Sequence, residues 1–202
     1  MATLINDADL ERELLEQRRA WGADKYDEVW DGVYVMSPAA NDEHQDLAGE
    51  FHFVFRTVLG CAAKIRQGVN ISDRRKGWRN NYRVPDVAVF LAGTKAVNLI
   101  THWLGGPDFG VEIVSPNDRT HEKIPFYEKV GAGELLVVCR DPWKLELYRR
   151  DAEQLLLVGE STLPNPAVLT SHILPLTFEL VADTPRPRIR IRHRDTGEEW
   201  LL

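Results

Sequence analysis

Two short apolar segments constrain the fold of this chain more than any other feature of its sequence. They are "YRVPDVAVFLA", residues 82–92, and "GVEIVSP", residues 110–116. In each segment apolar side chains occupy both alternating faces, which is typical of strands buried on both sides of a sheet. Such a sheet must be covered by other elements. The pattern therefore predicts an α/β fold with a mixed central sheet flanked by helices.

A helix and a hairpin are predicted before these strands. Asn6 or Asp7 is a suitable N-cap for the helix. In "YDEVWDGVYVMSP", polar and apolar residues alternate about a turn at Asp31-Gly32, as in a β-hairpin. The apolar residues expected on the first helix are Leu10, Leu14 and Leu15.

The clearest helix in the sequence runs from Asp42 to Leu59 and ends near Gly60. A shorter helix is predicted from about Glu122 to Val130, because Pro125 is tolerated only in a first turn and Gly131 stops the helix. The apolar stripe of the long helix consists of Leu47, Phe51, Val54, Phe55, Val58 and Leu59.

Further strands are predicted on both sides of the central pair. One lies near Ala63–Ile71, and "ELLVVCRDPWKLELYRRDAEQLLLV" supplies two or three more, with a turn at Asp141-Pro142. The basic C-terminal extension, residues 184–202, alternates arginine and isoleucine through residues 188–192. This extension is either a DNA-contacting edge or, as the favoured interpretation, a solvated edge strand protected from aggregation by its charge.

The composition narrows the class of protein. The 202 residues suffice for about one domain, which we expect to span residues 1–202. The net charge of -6 gives no general reason to bind a polyanion, so a nucleic-acid site must be a local patch. No membrane-length apolar run or signal-peptide pattern is present, which predicts a cytoplasmic protein without a membrane partner. Cys61 and Cys139 are expected to be reduced core thiols, which argues against zinc or a disulfide scaffold.

Asp86 and Glu112 are single carboxylates within the two central strands. An unpaired ionised carboxylate in such a place costs several kcal/mol, so each requires a cation or a position at the mouth of the core. One interpretation is structural: Asp86 pairs with Arg83 and Glu112 pairs with Lys123, or each acid lies at a strand end. The other is functional: two carboxylates on one face of neighbouring strands hold a hard divalent ion.

Lys123 is the cation that would complete such a metal site. On the predicted short helix it lies one turn from Tyr127, and the helix follows the Glu112 strand closely enough to fold back over it. A divalent metal would acidify a water molecule, and the lysine could orient that water or take its proton. The alternative is that Lys123 is an ordinary surface lysine.

Four segments occur in an order that is more specific than any one of them. They are "YDEVWDGVYVMSPAANDEH", "YRVPDVAVF", "VEIVSPNDRTHEKIPFYEKVGAGELLVVCRD" and "ILPLTFEL". Over residues 26–180 the chain thereby resembles the Uma-type putative restriction endonucleases of the PD-(D/E)xK nuclease superfamily. The resemblance implies a restriction-endonuclease-like core of helix, strands, helix and strand. It also implies that Asp86 and Glu112 bind the metal, with Mg²⁺ as the expected cofactor and Mn²⁺ as its substitute.

One position departs from the commonest pattern of that superfamily. A lysine usually stands two residues after the acid, where this chain has Val114. The resemblance places the lysine on the following helix instead, where Lys123 matches. Tyr127 and Gly131 also match, and we assign Tyr127 to orienting Lys123 or to packing, and Gly131 to ending the helix.

Other positions receive accessory roles. Glu50 lies on the long helix, where such nucleases sometimes add a metal-directed acid, although a solvated helix face is the favoured interpretation. His44 is expected to cap that helix or to contact substrate rather than to bind metal. Glu28 falls in one of the N-terminal segments that resemble the family, and these segments are expected to contribute less to catalysis. The best candidate DNA-binding loop includes Trp78 and the basic residues Arg74, Arg75, Lys76 and Arg79.

Three functions of different classes follow from these residues. The favoured one is a Mg²⁺-dependent endonuclease that hydrolyses DNA phosphodiester bonds, with Asp86, Glu112 and Lys123 as catalytic residues. The second is a nucleic-acid-binding or regulatory module that kept the fold without turnover, as Val114 and the acidic charge suggest. The third is a structural domain in which the same three residues form a buried ionic cluster. Cleavage of both DNA strands often uses two copies, which implies a homodimer.

Overall fold

The computed structural model describes residues 8–37, 41–115 and 119–202. The helices predicted near the N-terminus and from Asp42 to Leu59 are confirmed, whereas the proposed caps Asn6 and Asp7 lie outside the described residues. None of the helices in these ranges is long and apolar enough to cross a membrane. The α-helices of the described residues are α1 (Ala8–Ala20), α2 (Asp42–Leu59) and α3 (Ile124–Val130).

The described residues also form sixteen strands, most of them short. They make three sheets, which we call the first (β2-β1-β5-β4-β8-β7), the central (β12-β11-β10-β9-β6-β3) and the third (β13-β14-β15-β16). In chain order the strands are β1 (Glu28–Trp30), β2 (Val33–Val35), β3 (Lys64–Gln67), β4 (Ile71–Ser72), β5 (Tyr82–Arg83), β6 (Val87–Phe90), β7 (Val97–Asn98), β8 (Trp103–Leu104), β9 (Phe109–Ile113), β10 (Glu134–Arg140), β11 (Trp143–Asp151), β12 (Gln154–Thr162), β13 (Leu169–Thr170), β14 (Leu176–Val181), β15 (Arg188–His193) and β16 (Glu199–Leu201).

The central sheet is mixed and is buried on both faces, as its apolar strands predict. Strands β9 and β10 run parallel, and the other neighbouring pairs in this sheet are antiparallel. Along β6, Val87 and Val89 enter a core shared with Phe55 of α2 and with the third sheet. Ala88 and Phe90 face the opposite way, into a second core with α3. Each large side chain buried in this way contributes roughly 1.5–3 kcal/mol, which holds both helices to the sheet.

The single strand predicted over residues 82–92 is in fact two strands in two sheets. Strand β5 belongs to the first sheet and β6 to the central sheet. Pro85 lies between them and explains the break, because proline has no backbone N–H to donate to a strand ladder. The strand predicted near Ala63–Ile71 is likewise divided into β3 and β4, and Gly68 between them has a φ of 58°. The first break places Asp86 at a strand end.

The C-terminal strand is part of the main core, so the expectation of an edge strand is wrong. Strand β15 lies between β14 and β16, and both of its isoleucines are fully buried. Its arginines alternate on the opposite face, as predicted, but acids of neighbouring segments pair with them. The pairs are Arg188 with Asp183, Arg190 with Glu179 and Arg192 with Glu199. These ion pairs argue against a DNA-contacting role for the strand.

The short helix begins slightly later than predicted. Residues Thr120–Lys123 form a 3-10 turn, and α3 starts at Ile124. Pro125 lies in the first turn of α3, where its missing N–H is tolerated. Gly131 ends the helix with a φ of 80°, a left-handed conformation that glycine adopts at little cost. The turn brings Lys123 back toward β9.

The two cysteines differ in their surroundings, although both are free thiols. Cys61 is exposed in the 3-10 turn Gly60–Ala62, so the expectation of a core thiol is wrong for it. The turn carries the chain out of the apolar stripe of α2, which explains the exposure. Cys139 is partly buried on β10, and burial, followed by the charge of Glu146, raises the pKa of its thiol to about 11.

Candidate active site

Asp86, which immediately precedes β6, lies opposite Glu112 of the neighbouring antiparallel strand β9. In the register of β6 and β9, Val87 pairs with Val111. One residue further along, Asp86 therefore comes opposite Glu112, on the same face of the sheet. The Asp86 carboxylate accepts a hydrogen bond from the backbone N–H of Ile113 at 2.7 Å. The Asp86 side chain is 22% exposed and that of Glu112 only 3%, so the pair reaches from solvent into the core.

The Glu112 carboxylate is held by two side chains that follow its strand in the sequence. Lys123 Nζ lies 3.0 Å from Oε2, and the hydroxyl of the fully buried Tyr127 donates to Oε1. Tyr127 thus packs, as expected, and also orients the acid. Burial raises the pKa of Glu112 above its ordinary value, although the Lys123 ammonium opposes the rise. The negative charges of Asp86 and Glu28 raise this pKa further.

Glu28 is the third carboxylate of the site and, like Glu112, is buried; sequence reasoning missed its role. It lies on β1 with 2% of its side chain exposed, and its Oε1 is 3.0 Å from Lys123 Nζ. The same oxygen accepts from the backbone N–H of Val84 at 2.8 Å, and Oε2 accepts from the Trp30 indole at 2.7 Å. Lys123 is therefore not a surface lysine, since it bridges carboxylates from two sheets. The local sequence carries no signal of this, because the partner lies far along the chain.

His44 completes the surroundings of Asp86. Its Nε2 lies 2.8 Å from Asp86 Oδ1, and its Nδ1 lies 3.3 Å from Ser115 Oγ. A neutral ring must carry its proton on Nε2 to donate to the carboxylate. The expected capping role belongs to Asn41, whose side chain accepts from the His44 backbone N–H at 3.0 Å. The predicted pairing of Asp86 with Arg83 is wrong, because the Arg83 guanidinium lies over two aromatic rings.

Helix α2 reaches the site through its N-terminal turn rather than through Glu50, which is exposed. Arg140, at the end of β10, donates to the Asn41 side chain at 2.9 Å and to the Glu43 carboxylate at 3.0 Å. Its guanidinium also donates to the backbone carbonyl of Val114 at 3.1 Å. The Arg140 side chain is 8% exposed, so these contacts are well shielded. They tie the start of α2 to the end of β9 and keep the histidine over the acid.

The predicted basic loop is only partly free to contact a ligand. Arg75, Lys76 and Arg79 are exposed, whereas Arg74 pairs at 2.6 Å with an aspartate in the β1–β2 turn. The Trp78 ring stacks on a buried histidine at a centroid separation of 4.9 Å and is also covered by Arg79. The tryptophan is therefore occupied within the protein, and three of the four basic side chains remain as candidates.

One family model covers most of the chain: residues 14–183 match Uma2, described as a putative restriction endonuclease. The chain belongs to the Uma2 family. A crystal structure of a putative nuclease belonging to DUF820 from Anabaena variabilis is similar, with a TM-score of 0.57 and 19% identity over 72% of this chain and 80% of that one. At this identity the similarity concerns the fold alone, and that fold is nuclease-like. The comparison with curated proteins gives no match.

The residues of this Uma2-family site fit a divalent metal ion. Three carboxylates, those of Glu28, Asp86 and Glu112, lie close together, and the Lys123 ammonium pairs with two of them, Glu28 and Glu112. The cluster therefore carries excess negative charge in a largely buried place, and a cation would relieve it. All of the acidic ligand atoms are oxygens, which suits a hard ion such as Mg²⁺. The partly exposed Asp86 carboxylate gives such an ion access from solvent.

Proposed function

We propose that the protein is a metal-dependent endonuclease that hydrolyses DNA phosphodiester bonds. The observation that carries this proposal is the facing pair Asp86 and Glu112, with the Lys123 amine 3.0 Å from the inner acid. Two carboxylates and a lysine at one strand end are the groups that phosphodiester hydrolysis requires: oxygen ligands for a hard ion and a cation for developing charge. Membership of the Uma2 family supports a nucleic-acid substrate.

Each residue of the site has a distinct role in the proposed reaction. Asp86 and Glu112 would hold Mg²⁺, with Mn²⁺ as a substitute. When bound, such an ion lowers the pKa of water and stabilises negative charge on phosphoryl oxygens. Lys123 donates to two carboxylates, so we assign it to orienting the attacking water and stabilising charge rather than to taking a proton. Glu28 positions the Lys123 amine, and Tyr127 orients Glu112.

Cleavage of supercoiled plasmid and of oligonucleotide DNA, with Mg²⁺ or Mn²⁺, tests this proposal. Asp86→Ala, Glu112→Ala and Lys123→Ala should each lower the rate by at least roughly 100-fold, because each removes a group that acts on the reacting phosphate. Glu153→Ala is the matched control, since this acid is exposed in the turn between β11 and β12. Chelation of the metal should abolish cleavage. Equal activity in the wild type and all three site variants would reject the assignment.

One observation favours a second candidate, a nuclease-fold module that binds nucleic acid without turnover. Lys123 already forms a buried bridge between Glu28 and Glu112, and Val114 occupies the usual lysine position. The two functions differ in what they predict. Salt-dependent DNA binding without cleavage under any divalent metal would support the module. Calorimetry that detects no Mn²⁺ binding at all would instead support a purely structural ionic cluster.

We also propose that cleavage of both DNA strands uses a homodimer, because one site acts on one strand at a time. Light scattering coupled to gel filtration measures the mass in solution directly. A dimer should convert supercoiled plasmid to linear product without accumulating nicked circles. A monomer that yields mainly nicked circles would contradict this part of the proposal.

A further inference from the structure

A second cluster of potential metal ligands lies outside the proposed active site. His121 is in the 3-10 turn Thr120–Lys123, Cys139 is on β10 and Glu146 is on β11. One ligand atom from each of these residues lies within 4.8 Å of the other two. The sequence gives no hint of the cluster, because the three residues come from three elements and have no metal-binding spacing.

The register of β10 and β11 explains why two of these side chains meet. Val137 pairs with Glu146, and Cys139 pairs with Lys144. The thiol and the Glu146 carboxylate are therefore diagonal neighbours on one face of the sheet. The histidine reaches the same face from the turn, and its Nε2 is 2.7 Å from Glu146 Oε2.

The ligand types select the class of ion. A thiol, an imidazole and a carboxylate together suit zinc and other thiophilic transition metals, whereas Mg²⁺ and Ca²⁺ avoid sulfur. Zinc bonds of about 2.0–2.3 Å in a tetrahedral arrangement place the ligand atoms roughly 3.2–3.8 Å apart. The histidine must withdraw slightly from the carboxylate to reach this spacing. Its side chain is 51% exposed, so this movement meets little resistance.

The surrounding charges also suit a divalent cation. Lys144 contacts Glu146 and lies 3.2 Å from Glu160, so one ammonium serves two carboxylates. Together, Lys144, Glu146 and Glu160 have a net charge of -1. Loss of the Cys139 proton on binding would bring the total to -2, which a divalent ion neutralises. The Tyr148 hydroxyl donates to Glu146 at 3.0 Å and helps to orient its carboxylate.

We propose that His121, Cys139 and Glu146 bind a thiophilic divalent metal ion, with zinc as the natural candidate, and leave its fourth position to water. This site is distinct from the proposed Mg²⁺ site and does not depend on nuclease activity. The ion would connect the turn to two strands of the central sheet. Because the same turn carries Lys123, the bound metal would also fix the position of the catalytic amine.

Titration of the purified protein with Co²⁺ alone tests the proposal, because a cobalt-thiolate bond gives a charge-transfer absorption band. The wild type should show this band with one equivalent of Co²⁺. Addition of Zn²⁺ should displace the Co²⁺ and abolish the band, whereas Mg²⁺ should not. Cys139→Ser should lose the band, whereas Cys61→Ser, which alters the exposed thiol, should keep it. His121→Ala should weaken Co²⁺ binding at least tenfold. Because this histidine is exposed, we expect His121→Ala to fold, so it tests the proposal even if the Cys139 variant does not fold.

Two outcomes would overturn the proposal. One is the absence of the band in the wild type, and the other is its persistence in Cys139→Ser. A further variant, Asp86→Ala with Glu112→Ala, separates this site from the active site. The double variant should retain the cobalt band while losing cleavage, so failure of either proposal can be recognised independently. Loss of the band in a folded double variant would contradict a separate site.

Discussion

Burial of the Glu112 carboxylate works against folding, and its neighbours only partly offset this cost. Lys123 and Tyr127 each donate to one of its oxygens, yet burial keeps its pKa above the ordinary value. A buried ion pair is often no more stable than apolar residues of the same volume. The arrangement is therefore better explained by function than by stability, which is the usual balance at binding sites.

At the residue scale, Glu28→Gln should uncouple positioning from metal binding. Glutamine keeps the size of the side chain and its oxygen can still accept from the Val84 N–H, but its NH2 group replaces the acceptor of the Trp30 indole and the charge that holds the Lys123 amine is lost. We expect kcat to fall by about 10–100-fold, with KM for DNA and the affinity for Mn²⁺ retained. Cleavage kinetics and calorimetry measure these quantities. An equal loss of Mn²⁺ affinity would show that Glu28 is itself a ligand, and Glu153→Gln should change nothing.

The elements around the basic loop are held by a small polar network. Asp73 accepts from Lys129 of α3 at 2.6 Å and from the Asn81 side chain at 3.0 Å. The Asp73 side chain is 13% exposed and that of Lys129 is 56% exposed. Burial alone would raise the pKa of Asp73, but the hydrogen bond and charge of Lys129 lower it overall. The loop is thereby anchored to the helix that follows Lys123.

This anchor predicts a pH-dependent contribution to stability. A carboxyl whose pKa is lower in the folded state stabilises the fold above its unfolded pKa, and this stability is lost as the pH falls through the folded pKa. Asp73→Asn should lower the free energy of unfolding at pH 7 by about 0.5 kcal/mol, since Lys129 is largely solvated. The difference from wild type should shrink below about pH 4. Urea unfolding at several pH values measures this difference in the free energy of unfolding. A difference that does not depend on pH would contradict a stabilising ion pair between Asp73 and Lys129.

The exposed part of the basic loop predicts a change in the salt dependence of DNA binding. Arg75 and Lys76 are exposed, and no ion pair is found for either among the described residues. If both contact phosphates, the double variant Arg75→Ala, Lys76→Ala should reduce the slope of log K against log salt by roughly 0.9 per lost contact. Fluorescence anisotropy at several salt concentrations measures the slope. Lys95→Ala, at another exposed lysine, is the control. An unchanged slope in the double variant would show that the loop does not contact DNA phosphates.

At the scale of the whole molecule, Glu134 joins the central and third sheets. Its carboxylate is fully buried on β10 and lies 2.7 Å from the Arg149 guanidinium. It also accepts from the Ser171 hydroxyl and from the His172 backbone N–H, both in the connection between β13 and β14. The network satisfies polar groups that would otherwise be buried without partners.

Glu134→Ala should therefore be strongly destabilising without altering the chemistry of the site. Removal of the carboxylate leaves the Arg149 guanidinium with only the Thr170 carbonyl as acceptor and takes an acceptor from three donors in residues 171–173, which costs about 3–5 kcal/mol. Urea unfolding measures the loss. The fraction that remains folded should bind Mn²⁺ with wild-type affinity, because the network does not touch Asp86 or Glu112. A loss below about 1 kcal/mol would mean that water replaces the carboxylate.

Sequence periodicity was sufficient for α2 and for β9, β10 and β11, because apolar spacing directly reflects burial, but it merged β3 with β4 and β5 with β6. The Asp86 and Glu112 pair could be proposed because both acids interrupt apolar runs and match a family pattern. Glu28 and the His121 cluster could not, since their partners come from distant segments whose approach depends on the assembled sheets. The strand break at Pro85 was readable in principle, because proline cannot belong to a central ladder.

That break has a mechanical consequence. The chain crosses from the first sheet to the central sheet within residues 84–86, and Lys123 joins a carboxylate of each sheet directly beside the crossing. The Lys123 ammonium therefore links the first and the central sheet, which are hydrogen-bonded separately. If the β1–β2 hairpin loosens on heating, this link breaks, and the proposed catalytic residues lose their alignment while the central sheet is still folded. The proposed cleavage activity would then be lost at a lower temperature than that of the global unfolding transition.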